Sequence, residues 1–265
     1  MDISITMMLL YGLIFGVFLQ TAMYIIARLS RDAGHVDVGW TAGVGILAVL
    51  FSVAADGWIV RRIIIAFLGA IWSFRLVYYI IVDRIIPQKE DSRYQNLRHY
   101  WGNKANLYFF FFFVSQAILI VIFAIPHLIA ASNTINYLQW YDGVGLIIWI
   151  TAIVGETISD KQLVQFRKNP ANKGKTCKRG FWRYSRHPNY FFEWIHWWAY
   201  LFFALGFSFW WVTLIGPIVM LIFLFKITGI PYTEKQAILS RGNDYLHYQR
   251  TTNKFFPWFP KKDKS

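Results

Sequence analysis

The sequence predicts an all-α, polytopic membrane protein: a single domain, 1–265, of about seven transmembrane helices. Three observations predict it. Hydrophobic residues make up 56% of the chain and charged residues 15%, with a mean hydropathy of +0.37, too apolar for an ordinary soluble domain. The apolar residues fall in long uninterrupted blocks. The charged residues gather in a few loops between those blocks. A net charge of +13 would suggest a nucleic-acid partner in a soluble chain. Here its placement in loops has a topological explanation, and no nucleic acid is expected.

The elements follow in order. The first apolar run, 3–29, lacks a basic leader and is long enough to remain as an anchor. A second covers 39–55 and a third 63–82. The fourth, 107–131, has five consecutive phenylalanines near its start. The fifth covers 141–159. The sixth and seventh, 190–205 and 207–227, are separated by Gly206, so the hairpin between them must be tight. A span needs about 20 residues, which makes the second and sixth marginal. The tail, 229–265, reads as a short amphipathic helix and an aromatic-rich end. It either lies on the membrane interface or closes a pocket from below.

The loops alternate in character. The segment 160–188 alone carries nine lysines and arginines against Asp160. The opposite side has Asp2, Asp56, Arg61 and Arg62 as flanking charges. The positive-inside rule makes the basic side cytoplasmic. The N-terminus is then outside, the C-terminus inside, and the number of spans odd.

The basic side holds more than orientation requires. Arg75 lies inside an apolar run, where a charge usually faces the bundle interior or a wet cavity; snorkelling to the headgroups is the plainer reading. Arg75, Tyr79 and Asp83 step at i, i+4 and i+8, one face of a helix. Glu156 with Asp160, and Asn189 with Glu193, repeat the spacing on two more helices. Each pair could be an interhelical hydrogen bond. Three at one depth favour a cavity opening to the cytoplasmic side. The lone Cys177 excludes an internal disulfide and a multi-cysteine metal site. The six histidines show no ligand spacing, so no metal is expected. No GxGxxG fingerprint, P-loop or HExxH motif occurs.

The stretch "RYSRHPNYFFEW" (183–194) resembles the signature shared by steroid 5α-reductases, sterol reductases, and the isoprenylcysteine and phospholipid methyltransferases. "DVGW…WSFRL" and "EDSRYQNLRHYWG" narrow the resemblance to the bacterial branch of the steroid 5α-reductase family, over most of the chain. It implies a seven-helix reductase of the bacterial inner membrane that binds NADPH in the cytoplasmic half. It implies hydride transfer to the C=C of a Δ4-3-ketosteroid or similar enone. Carried over by residue, it implies cofactor contacts at Arg75, Tyr79, Asp83 with adjacent Arg84, Asp160, Arg167, Tyr184, Asn189 and Glu193. The family's acidic residue at the steroid ketone falls on Asp37. Its partner tyrosine falls on Trp72, whose N–H can donate a hydrogen bond but not a proton. A tyrosine elsewhere, such as Tyr24, would then substitute, or Asp37 would act alone.

The chemistry suits those residues. Hydride addition to an enone builds negative charge on the carbonyl oxygen, and a positioned acid lowers the barrier. Burial of Asp37 against Val38 and Trp40 would favour its neutral form; an N-cap of the second span is the plainer role. Phosphates call for several donors, and Arg75, Arg84, Arg93, Arg167 and Lys175 are the candidates. Arg186 and His187 are either further phosphate ligands or headgroup contacts. Asn189 and Glu193 offer a donor–acceptor pair to a nicotinamide amide. Glu234, Asp244, Tyr245 and Tyr248 would close the pocket from the tail. Pro188 suits the first position of the sixth helix. The expected partners are a small hydrophobic, steroid-like enone and membrane lipids, around a monomer. The alternatives are an S-adenosylmethionine-dependent membrane methyltransferase and a non-enzymatic sterol- or lipid-binding protein. Against the first, the methyltransferases usually carry Gly where this chain has Phe192.

Overall fold

The computed structural model describes residues 4–87, 90–227 and 229–262, so Asp2 and the start of the first run lie outside the described residues. Every regular element among them is helical. In chain order these are α1 (Ile5–Ser30), α2 (His35–Ala54), α3 (Ile59–Ile80), α4 (Ser92–Trp101), α5 (Ala105–Ala131), α6 (Trp140–Lys168), α7 (Pro188–Ala204), α8 (Ile215–Ile222), α9 (Ile230–Arg241) and α10 (Asn243–Thr251). Single π turns continue α3 through Ile81–Ile85 and α8 through Phe223–Ile227.

Among the described residues six stretches are long and apolar enough to cross a membrane, and the chain is a polytopic membrane protein. The expected span not among the six is the sixth, 190–205, already marginal by its length. Helix α7 has 17 residues, which is about 26 Å at 1.5 Å per residue, against a hydrocarbon core of about 30 Å. It also buries Glu193 and His196. Helix α6, in contrast, continues to Lys168, well past the apolar run that ends near Ser159, so its last turns are polar.

The chain forms two compact units. The first comprises the chain up to Gln139 with Phe203–Gly216. In it α2 packs against α1, α3 and α5, and α1 packs against α5. Small residues let the backbones approach, as in membrane bundles generally. A Cβ on Gly16 would sit 3.1 Å from the Ala117 Cβ, and one on Gly69 2.5 Å from the Ala48 Cβ. At one end of this unit, Arg61 and Arg62 are more than flanking charges. Arg61 is fully buried and donates to the Ile135 carbonyl at 2.7 Å. Arg62 donates to the Ser52 and Val53 carbonyls at the end of α2. Both satisfy helix-end and loop carbonyls that lipid would leave unpaired. At the other end, the C-terminus of α1, the N-terminus of α2, the π turn after α3 and helix α4 converge.

The second unit comprises Trp140–Phe202 with the chain from Pro217. Pro188 takes the first position of α7, where its missing N–H is harmless. On α6, Gly155 provides the room for the Phe192 ring, against which any Cβ would collide. The tail holds two helices, α9 and α10, where one was expected.

Candidate functional site

The first unit builds its polar site from the start of α2. The helix begins at His35 after Gly34, so Asp37 sits in the first turn and is not the N-cap. Its carboxylate is met by donors on both oxygens. Tyr94 donates to Oδ1 at 2.8 Å. Arg93 donates to Oδ2 at 3.1 Å, and Arg84 reaches the same oxygen at 3.4 Å. Asp91 closes the cluster: Arg93 pairs with it at 3.0 Å and Arg84 lies 3.6 Å away. Burial alone would push the Asp91 carboxyl up, but the Arg93 and Arg84 guanidiniums outweigh it and hold it below its ordinary value.

Two expectations change here. Asp37 does not rest in apolar surroundings against Val38 and Trp40. Its side chain keeps 28% of its exposure and faces two arginines. The tyrosine beside it is Tyr94, not Tyr24, whose hydroxyl donates to the Asn106 carbonyl at 2.9 Å. Tyr94 is 4% exposed and comes from the "EDSRY" stretch, whose arginine drew attention while its tyrosine did not. Trp72 is fully buried and lies edge-on to Trp40, ring centres 6.1 Å apart.

The π turn explains why Arg84 reaches Asp37. A straight helix would stack Arg75, Tyr79 and Asp83. A π turn takes an extra residue, about 100° of rotation, so the residues in and beyond it are rotated from where a continuous α-helix would place them. Arg84 lies in this turn, Ile81–Ile85, and reaches Asp37. Asp83 is within the turn and half-buried, as Arg75 and Tyr79 are on α3.

Along the same face of α2, three and four residues beyond Asp37, lie Trp40 and Thr41. The Trp40 Nε1, the Thr41 Oγ1 and the Oε1 of Gln20 on α1 are buried polar atoms without a hydrogen-bond partner among the described residues. Gln20 and Thr41 are fully buried. Orphaned buried polar atoms call for an explanation, and here they can receive a polar group of a ligand.

In the second unit, Asn189 on α7 donates to Asp160 Oδ1 on α6 at 3.2 Å. Glu193, one turn on, accepts from the Trp197 indole at 3.1 Å. Asp160 and Glu193 are buried and Asn189 half-buried. Arg167 and Lys175 are exposed.

The other candidates of this unit are engaged in tying the tail down. Arg186 donates to Glu234 at 2.7 Å and to the Gln249 and Thr252 carbonyls at 2.8 and 2.9 Å. His187 lies 3.3 Å from Glu234 and stacks on Tyr190. Burial lowers its pKa below the ordinary value, and the Glu234 carboxylate recovers only part of that. Asp244 accepts from Lys178 at 2.5 Å and from the Thr176 N–H at 2.7 Å. The Tyr184 carbonyl accepts from Trp258 N–H at 3.0 Å. Tyr245 is buried edge-on to Tyr248, whose hydroxyl donates to the Trp182 carbonyl.

Within the second unit, the residues fit parts of an NADPH. Asn189 carries an amide carbonyl and N–H₂ for a carboxamide, with Asp160 and Glu193 as acceptors. Arg167 and Lys175 of the same unit offer exposed positive charge.

The family described as "Protein of unknown function (DUF1295)" matches residues 23–252. An uncharacterised protein of Schizosaccharomyces pombe is 26% identical over an alignment that covers 93% of this chain and 78% of that protein. No solved structure matches. The chain therefore belongs to the DUF1295 family, which includes steroid 5α-reductase-like proteins.

Proposed function

We propose that this protein is an NADPH-dependent membrane reductase of a C=C bond conjugated to a ketone, with a Δ4-3-ketosteroid or similar lipid enone as substrate. The observation that carries the reading is the Tyr94–Asp37 hydrogen bond. It provides a proton-bearing hydroxyl at the acidic residue where Trp72 had left the chemistry without one.

When bound, NADPH supplies the hydride. The chain's own residues handle the ketone oxygen. Asp37, anchored by Arg84 and Arg93, orients the Tyr94 hydroxyl. As negative charge develops on the ketone oxygen, the Tyr94 hydroxyl turns from Asp37 and hands over its one proton. Arg84 and Arg93 offset the charge left on the phenolate, and the enol so formed tautomerises to the saturated ketone. The two guanidiniums lie within reach of the same carboxylate and add positive potential, which stabilises an oxyanion most where water is scarce. Thr41 and Trp40, on the same face of α2, can hydrogen-bond a polar substituent further in. In the second unit, Asn189, Asp160 and Glu193 would hold the nicotinamide end, and Arg167 and Lys175 would meet phosphates.

Phe192 favours hydride over methyl transfer. The position that is usually glycine in the methyltransferases holds a ring seated on Gly155.

The test is direct. The purified protein in detergent is expected to oxidise NADPH, followed by its absorbance, when a Δ4-3-ketosteroid is added. Binding of S-adenosylmethionine with no binding of NADPH would overturn the reading in favour of a methyltransferase.

A further inference from the structure

We infer that the first unit carries a binding site for an anionic lipid, separate from the Asp37 cluster and independent of the reductase reading. The site is a cavity of about 450 Å³ between the end of α1, the Ala33 turn, α4 and the start of α5. That volume is in the range of ligand pockets.

Its lining is ordered by depth. Arg28 and Arg31 stand at the end of α1 and Arg98 on α4. Phe109 and Phe113 line it along α5, and Tyr24 and Ala27 along α1. From Arg31 back to Tyr24 is seven residues, about 10 Å of helix. Charge therefore lies at the helix ends, with Phe109 directly beneath Arg98 and with Tyr24 and Phe113 further along two membrane-crossing helices. A leaflet lipid has the same order, headgroup at the interface and acyl chain inward. A free inorganic anion would use the upper half and leave the aromatic half without a partner.

The charge balance also selects an anion. Glu90 is the one carboxylate among the lining residues. It is committed to Arg98 at 2.6 Å and to the Ala33 N–H at 2.9 Å. The Arg98 guanidinium lies 4.9 Å over the Phe109 ring, which fixes it as a wall. The net charge at the mouth is left to Arg28 and Arg31, both exposed. The first turn of α5 adds the positive end of a 27-residue helix with no side-chain cap. An anionic phosphodiester headgroup satisfies these donors, while phosphatidylcholine brings the same phosphodiester with a choline cation beside the arginines.

The experiment uses the full-length protein in neutral detergent. Phosphatidylglycerol, phosphatidylcholine and inorganic phosphate are titrated separately, with bound lipid counted by native mass spectrometry and stability read by thermal melting. Phosphatidylglycerol is expected to bind at one per chain and raise the melting temperature. The double variant Arg28→Gln/Arg31→Gln is expected to weaken this binding by about tenfold or more. The control Lys173→Gln/Arg179→Gln, two exposed basic residues of the second unit, is expected to leave it unchanged. Equal affinity in the two double variants overturns the site, and so does stabilisation by inorganic phosphate equal to that by the lipid. Should the variant fail to fold, a photoreactive acyl-chain phosphatidylglycerol on the wild-type protein decides. Adducts are expected on residues 24–33 and 105–113, and adducts spread evenly over the lipid-exposed helices overturn the proposal.

Discussion

Tyr94 donates a 2.8 Å hydrogen bond to Asp37 Oδ1 from 57 positions away in the chain. The contact joins the first turn of α2 to α4. It brings the only phenolic hydroxyl hydrogen-bonded to Asp37 among the described residues. If Tyr94 supplies the proton at the ketone, Tyr94→Phe is expected to lower kcat for enone reduction by about 10²–10⁴. The KM for NADPH should change little. Loss of one buried hydrogen bond to a charged group reduces stability by about 1.5–3 kcal/mol, so the folded protein should remain measurable. Retention of full kcat in Tyr94→Phe removes Tyr94 as the donor.

The Arg186–Glu234 pair is a structural contact with a separate signature. Both side chains are close to fully buried, 8% and 12% exposed, and Arg186 also holds two carbonyls of the tail. Glu234→Ala leaves the guanidinium without its counter-charge, which costs about 3–5 kcal/mol in buried pairs. The variant is expected to release the tail to limited proteolysis between α9 and the Trp258 region, read by mass spectrometry of the fragments. An unchanged digestion pattern would show that the tail is held by its aromatic contacts alone.

Two glycines separate packing from propensity. A Cβ on Gly57 would strike the Ala131 carbonyl oxygen, a backbone atom, whereas one on Gly143 meets nothing within 4 Å. Gly57→Ala is therefore expected to destabilise by about 1–3 kcal/mol. Gly143→Ala, near the start of α6, should be neutral or stabilising by up to about 1 kcal/mol. Thermal melts of both in one detergent check the contrast.

His187 sets a pH dependence. Burial depresses its pKa in the folded protein below the ordinary 6.5, against the attraction of Glu234 and alongside the repulsion of Arg186 and Lys254. The unfolded chain takes up the proton first as pH falls. Stability is then flat above about pH 6.5 and declines below it until the folded value is reached. Melting temperatures at pH 8, 7, 6 and 5 should show that decline, and His187→Gln should flatten it.

Much of the architecture was legible in the residues. Apolar runs marked the spans because a backbone in lipid must bond within its own helix. Pro188 marked the start of α7, because proline fits a first turn. Asp37, Arg84 and Arg93 stood out as charges beside apolar runs, and all three meet in one cluster. Their partner Tyr94 did not stand out. A tyrosine in a polar, aromatic stretch carries no local signal that its hydroxyl is aimed at a carboxylate two helices earlier. Arg186 and His187, read as phosphate ligands or headgroup contacts, both meet Glu234, and Arg186 also donates to the Gln249 and Thr252 carbonyls.

The sequence by itself determined the membrane class, the approximate spans and the loops that hold charge. These follow from transfer free energy and helix periodicity, which act over one helix at a time. The tertiary structure alone decided that α6 runs on in polar turns to Lys168 and that the tail folds as two helices. It also decided that a π turn follows α3 at Ile81–Ile85 and that Arg84 and Tyr94 both meet Asp37. Each of these depends on where one helix ends against another, a distance that no local pattern of residues encodes.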